Sequence, residues 1–212
     1  MKVGIIGATG KSGSRITSEA MHRGIEVIPL VRNARRLGTN GHNYIEKDLF
    51  HLTEEDIQGL DVIVDAFNVV LGEEELHKTS LNHLITLLAG KNKPRLIVVG
   101  GSGMLYTDKE KTIKLKDTSD FPKKYKAAAD NMEEAFEQLK THTDLNWTYI
   151  CPSEMYFPEG ERTGDYQIGT GGYLLRNKKG YSEISYADYA LALVDEIENK
   201  HYPNQRITVC SK

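Results

Sequence analysis

The feature that most constrains the fold is the run Gly7-Ala8-Thr9-Gly10-Lys11-Ser12-Gly13, placed directly after the strand-like stretch at 2–6 and ahead of a helical pattern. A chain that turns from a buried strand into a helix within a few residues needs positive φ and close backbone approach. Glycine supplies both without a Cβ penalty. The spacing, Gly-x-x-Gly-x-x-Gly, is a variant of the dinucleotide fingerprint. Its context of strand, turn and helix N-terminus leaves free N–H groups aimed at a pyrophosphate. Gly7, Thr9, Gly10, Lys11, Ser12 and Gly13 are therefore the expected cofactor contacts. A triphosphate-binding loop closing on Gly10-Lys11-Ser12 would need glycine at position 5, which is Ile5.

Periodicity extends this beginning into an alternating pattern. Strands are expected at 2–7, 26–31, 43–46, 61–66, 95–100, 146–151 and 206–210, and helices at 12–23, 53–58, 74–90, 122–140 and 186–199. Leu30, Val64 and Ile97 sit inside near-continuous apolar runs, as in strands covered on both faces. The expectation is an α/β protein: a doubly wound, mostly parallel Rossmann-type sheet with helices on both faces, one domain over residues 1–212. Segments 101–120 and 154–180 lack periodicity and follow strand C-termini, where such sheets bind ligands. They are expected to build the substrate pocket.

Composition narrows the partners. A formal net charge of −3 with 27% charged residues carries no basic excess, so neither nucleic acid nor an anionic membrane surface is expected. No stretch approaches the roughly 18 apolar residues of a spanning helix. Cys151 and Cys210 are far apart, without His or Cys at ligand spacing, so no metal site is expected. A strand-like start in place of a leader points to the cytoplasm.

The end of the second strand bears on which dinucleotide is bound. A preference for NAD(H) places Asp or Glu there, whereas this chain has Leu30-Val31-Arg32-Asn33, followed by Arg35 and Arg36. A guanidinium at Arg32 suits a 2′-phosphate, so NADP(H) is expected over NAD(H). Asp48 and Leu49 follow the third strand, where a carboxylate can bond the adenine amino group. Ala66, Phe67 and Asn68 end the fourth strand beside the expected pyrophosphate and ribose. Gly101, Pro152 and Ser153, at later strand ends, are expected near nicotinamide, and the Ser102 hydroxyl is placed to assist a carbonyl oxygen.

Further motifs are Val99-Gly100-Gly101-Ser102-Gly103, Asp120-Phe121-Pro122, Asn146-Trp147-Thr148, the run from Gly160 to Tyr166, and Ile184-Ser185-Tyr186-Ala187-Asp188-Tyr189-Ala190. With these, essentially the whole chain resembles the bacterial NADH-flavin reductase group of the atypical short-chain dehydrogenase/reductases, relatives of flavin and biliverdin reductases. The resemblance implies an NAD(P)H-binding Rossmann fold and hydride transfer to a free flavin, FMN or FAD, or to a quinone. It also implies an alternative, a non-catalytic NADP(H)-sensing regulatory protein.

One departure bears on mechanism. The wider superfamily uses a Tyr-x-x-x-Lys pair as proton donor, and here Tyr125 is followed four residues on by Ala129. Carbonyl chemistry is disfavoured, while a flavin or quinone ring stabilises its own added charge and takes its proton from solvent. Tyr125 and Ser102 remain the catalytic candidates. Tyr156 is expected to stack on the acceptor ring, and Arg162 to meet an anionic group such as flavin phosphate, with Tyr166 beside it. Arg162 and Tyr166 can equally brace a hairpin. The sequence leaves the oligomeric state open.

Overall fold

A computed structural model describes residues 1–37 and 43–212. The chain runs β1 (Lys2–Ile6), α1 (Lys11–His22), β2 (Glu26–Val31), β3 (Ile45–Glu46), α2 (Glu54–Ile57), β4 (Val62–Asp65), α3 (Leu76–Leu88) and β5 (Arg95–Val99). It continues through α4 (Lys126–Thr141), β6 (Trp147–Cys151), β7 (Met155–Phe157), β8 (Tyr166–Gly169), β9 (Glu183–Ser185), α5 (Tyr186–Asn199) and β10 (Gln205–Ser211). Eight strands form one sheet in the order β3-β2-β1-β4-β5-β6-β10-β8, and β7 pairs with β9 separately. All neighbours in the large sheet are parallel except β8, which runs antiparallel to β10. This is the doubly wound architecture expected from the alternation.

Successive strand residues point to opposite faces, so each central strand feeds two cores. Leu96 and Val98 of β5 and Trp147, Tyr149 and Cys151 of β6 pack on the face covered by α3 and α4. Ile97, Ile150, Ile207 and Val209 join Val3 and Ile5 on the face covered by α1 and α5. The strand order reverses at β1, with β2 and β3 on one side and β4 on the other. At such a switch point the loops leave in opposite directions and open a crevice above the strand C-termini.

The segment 154–180 holds more order than its composition suggested. β7 and β8 lie within it, and Asp188 of α5 fastens its middle. That carboxylate accepts Thr163 N–H (2.8 Å), Thr163 Oγ1–H (2.6 Å) and Gly164 N–H (2.9 Å). Ser185 caps α5 by accepting Asp188 N–H. The motifs at 160–166 and 184–190 are thus two halves of one latch, a pairing invisible to local pattern because its halves lie about 25 residues apart.

Candidate functional site

The glycine turn works by steric exclusion. Gly7 has φ +71°, and a Cβ there would sit 2.5 Å from the Ala66 carbonyl oxygen. A Cβ on Gly13 would sit 2.1 Å from the Gly7 carbonyl oxygen, so α1 starts in contact with the turn. Gly10 N–H closes the turn onto the Gly7 carbonyl at 2.8 Å, and Gly10 is the N-cap of α1. No side chain caps α1, and its first turn carries no acidic residue. α3 and α4 also start without a side-chain cap, while α5 is capped by Ser185 and α2 by a Thr53–Asp56 capping box, so what sets α1 apart is the glycine turn that leads into it. An uncapped N-terminus keeps its free amides and partial positive charge for an external anion.

Above this turn lies a groove of about 500 Å³, lined by Gly7, Thr9 and Gly10 and by the ends of β2 and β4. Arg32, Arg36 and Lys47 line it, with no carboxylate. Lys47 is held by Asp56 at 2.6 and 2.8 Å, whereas Arg32 and Arg36 form no ion pair among the described residues. Leu49, Leu52, Ala66, Phe67 and Asn68 supply the remaining wall. The turn, the bare helix end and the cationic wall fit the diphosphate of a dinucleotide.

Ser12 faces a different neighbour. Its Oγ accepts the Tyr156 hydroxyl at 2.9 Å, which leaves the serine's own hydrogen for another acceptor. Burial holds the Tyr156 phenol well above its usual pKa, so it remains a donor. The Tyr156 ring packs on Tyr186 and Tyr189, with centroids 3.9 and 5.0 Å away. Tyr156 is therefore a strut between β7 and the start of α1, where a ring-stacking contact with acceptor was expected.

A second cavity, about 450 Å³, opens one strand along, at the end of β5. Gly101, Ser102 and Gly103 form its floor, and Tyr125 stands at its edge. Met104, Leu115, Phe121 and Met132 make it largely apolar, and Glu154 adds a carboxylate from the segment after β6. Segment 101–120 and the first turns of α4 build most of this wall, while 154–180 contributes Glu154. A Cβ at Gly103 would lie 2.7 Å from the side chain of Ala129, which stands where the superfamily pair has lysine, so helix and floor meet closely there. Tyr125 is 49% exposed, with Lys124 Nζ 4.8 Å above its ring.

Other expected contacts lie elsewhere. Asp48 caps the short helical turn at 49–51 by accepting Phe50 N–H at 3.0 Å. Ser153 is fully buried and donates to the Val209 carbonyl at 2.8 Å, beside buried Pro152. Arg162 grips Glu19 of α1 with two bonds of 2.8 and 2.9 Å, and Tyr166 donates to Asp195. Arg162 and Tyr166 thus act as braces, the second of the two roles their sequence allowed. Sequence reasoning placed Met104, Leu115 and Glu154 only as members of the two pocket segments and Phe121 only within a motif, and it missed Lys47 and Met132. Met132 carries an apolar signal identical to that of core positions.

Residues 7–200 match the NAD(P)H-binding family model. The chain belongs to this NAD(P)H-binding family. It is 44% identical to the Bacillus subtilis protein YwnB, covering 100% of this chain and 99% of YwnB. A solved structure from Streptococcus pneumoniae, of a protein whose proposed name is NADH-flavin reductase, is 40% identical, covers 100% of both chains and superposes with a TM-score of 0.93. A Lactobacillus casei protein of solved structure is 32% identical over 100% of this chain and 99% of its own, with a TM-score of 0.87. Among the described residues, no helix is long and apolar enough to cross a membrane, and no group of three or more His, Cys, Asp or Glu could hold a metal ion.

Proposed function

We propose that the protein is an NADPH-dependent oxidoreductase that passes hydride to a planar acceptor, a flavin or a quinone. The observation that carries this reading is the pairing of two sites above neighbouring strands. A cationic nucleotide groove lies at the end of β4, and an apolar cavity lies at the end of β5. The Streptococcus pneumoniae relative, by its name, points the same way.

The chain's own residues divide the work. The amides at the start of α1 hold the diphosphate, helped by the free hydrogen of Ser12. Arg32, with Arg36, pairs with the 2′-phosphate, and Leu49 and Leu52 flank the adenine. When bound, the cofactor supplies the hydride. The cavity around Met104, Leu115 and Met132 excludes water and presses a flat ring over the Gly101–Gly103 floor. Holding donor and acceptor in register supplies most of the acceleration. Ser102 donates to a carbonyl oxygen of the acceptor, and solvent at the open edge by Tyr125 delivers the proton.

Cofactor titrations test the first half of the proposal. NADPH is expected to bind at least about tenfold more tightly than NADH, the usual scale of a charge-assisted pair, and Arg32→Ala to erase most of the difference. Equal dissociation constants in the unmodified protein would overturn the NADPH assignment.

A further inference from the structure

A third concavity, about 370 Å³, lies along the next turn of α4 from the acceptor cavity. Leu115 lines the cavity, while Lys114 lines this groove. Four cations, Lys111, Lys114, Lys140 and Arg206, line it against two carboxylates, Glu133 and Glu137. Both carboxylates are already engaged. Glu133 takes Lys114 and Lys116, and Glu137 takes Lys140 at 2.6 Å.

Arg206, near the start of β10, is the unusual member. Its guanidinium lies 4.8 Å over the Phe136 ring and makes no hydrogen bond or ion pair among the described residues. Gly172 gives it room on another side, since a Cβ there would fall 2.2 Å from an Arg206 nitrogen. Lys140 approaches the same ring at 5.3 Å, and Lys114 lies 5.5 Å over Tyr106. Like charges are gathered around a seated guanidinium whose five donors have no protein acceptor. Such a fork matches the paired oxygens of a phosphate group. The groove, at the small end of ligand-site volumes, also has room for a small body attached to that phosphate.

We propose that this groove is a second anion site that binds a phosphate group, with Arg206 as its principal ligand and Lys140 and Lys111 as supporting cations. It is independent of the nucleotide groove, which lies at the ends of β2 and β4. Because segment 101–120 lines both concavities, an anion here also bears on the acceptor wall.

The chain carries its own reporter. Trp147, its only tryptophan, is buried and meets Phe136 edge-on at 6.0 Å. Tryptophan fluorescence is titrated with inorganic phosphate at constant ionic strength, with chloride as control, in the presence and absence of saturating NADP. A saturable change is expected that NADP and Arg32→Ala leave in place. Arg206→Gln should weaken it about tenfold or more. Lys140→Gln, which leaves the Arg206 seat intact, should weaken it by a smaller factor. Circular dichroism of each variant separates loss of the site from loss of fold. A non-saturating response equal to that of chloride, or equal phosphate affinity in a folded Arg206→Gln variant, would overturn the site. A response abolished by NADP or by Arg32→Ala would assign the phosphate to the nucleotide groove instead and likewise overturn it.

Discussion

Arg162 and Glu19 form a two-bond ion pair that ties the loop after β7 to α1, with Arg23 joining the same carboxylate at 2.8 Å. Glu19 is 7% exposed, and the Arg162 hydrogen bonds, reinforced by Arg23, hold its carboxyl down to about 2 against the opposing effect of burial. A carboxylate with a depressed folded pKa contributes stability above its unfolded value, near 4.5, that is lost as pH falls through about 2. Glu19→Gln is expected to cost roughly 2 to 3 kcal/mol at pH 7. Urea unfolding at pH 7 and pH 3 checks this. A variant as stable as the parent at pH 7 would show that the pair contributes nothing net.

The same pair removes Arg162 from acceptor binding. Arg162→Ala should lower the melting temperature while leaving the ratio of KM values for FMN and riboflavin unchanged. A selective rise in KM for the phosphorylated flavin would return Arg162 to the acceptor.

Asp65 ends β4 beneath the groove, 6% exposed, with Phe67 N–H donating to it at 3.1 Å. Burial raises its carboxyl to about 6, beside a His77 whose pKa burial lowers and a Tyr149 whose phenol burial pushes well up. The unfolded chain ionises this carboxyl near 3.8 while the folded chain resists until about 6, so its contribution to stability falls as pH climbs between those values. Asp65→Asn keeps the acceptor for Phe67 and removes the charge. It should be more stable than the parent by roughly 1 to 3 kcal/mol at pH 8 and nearly equal at pH 4. Equal stability at pH 8 would contradict the buried-charge cost.

Much of the fold was legible because buried parallel strands write themselves as apolar runs and glycine turns as fixed spacings. The edge strand β8 and the β7–β9 pair were not, since each is three or four residues long and depends on partners distant in sequence. The groove above the glycine turn was legible at Gly7, Gly10 and Arg32, which line it, because backbone sterics and charge act locally there. Ser12 and Tyr156 are 144 residues apart, and no local pattern marks their hydrogen bond. Asp48, Ser153 and Arg162 carry the right chemistry at plausible strand ends, yet the backbone and Glu19 claim them first.

Tyr125 lies on the cavity edge, with Ala129 four residues on where the superfamily pair has lysine. Tyr125→Phe is expected to keep most turnover, within about threefold, because solvent supplies the proton. Steady-state kcat with saturating NADPH and acceptor measures this. A loss of a hundredfold or more with unchanged cofactor affinity would make the phenol the proton donor.

Anaerobic oxidation of NADPH, followed by absorbance against FMN, FAD and small quinones with the uncatalysed rate subtracted, tests the central claim most directly. Turnover should saturate with at least one of these acceptors. It should vanish in Gly10→Val, which crowds the diphosphate turn, and show a raised acceptor KM in Ala128→Phe, which fills the cavity from its rim while leaving NADPH affinity unchanged. Tight NADPH binding with no turnover above background for any acceptor would contradict the reductase and favour a protein that only senses the nucleotide.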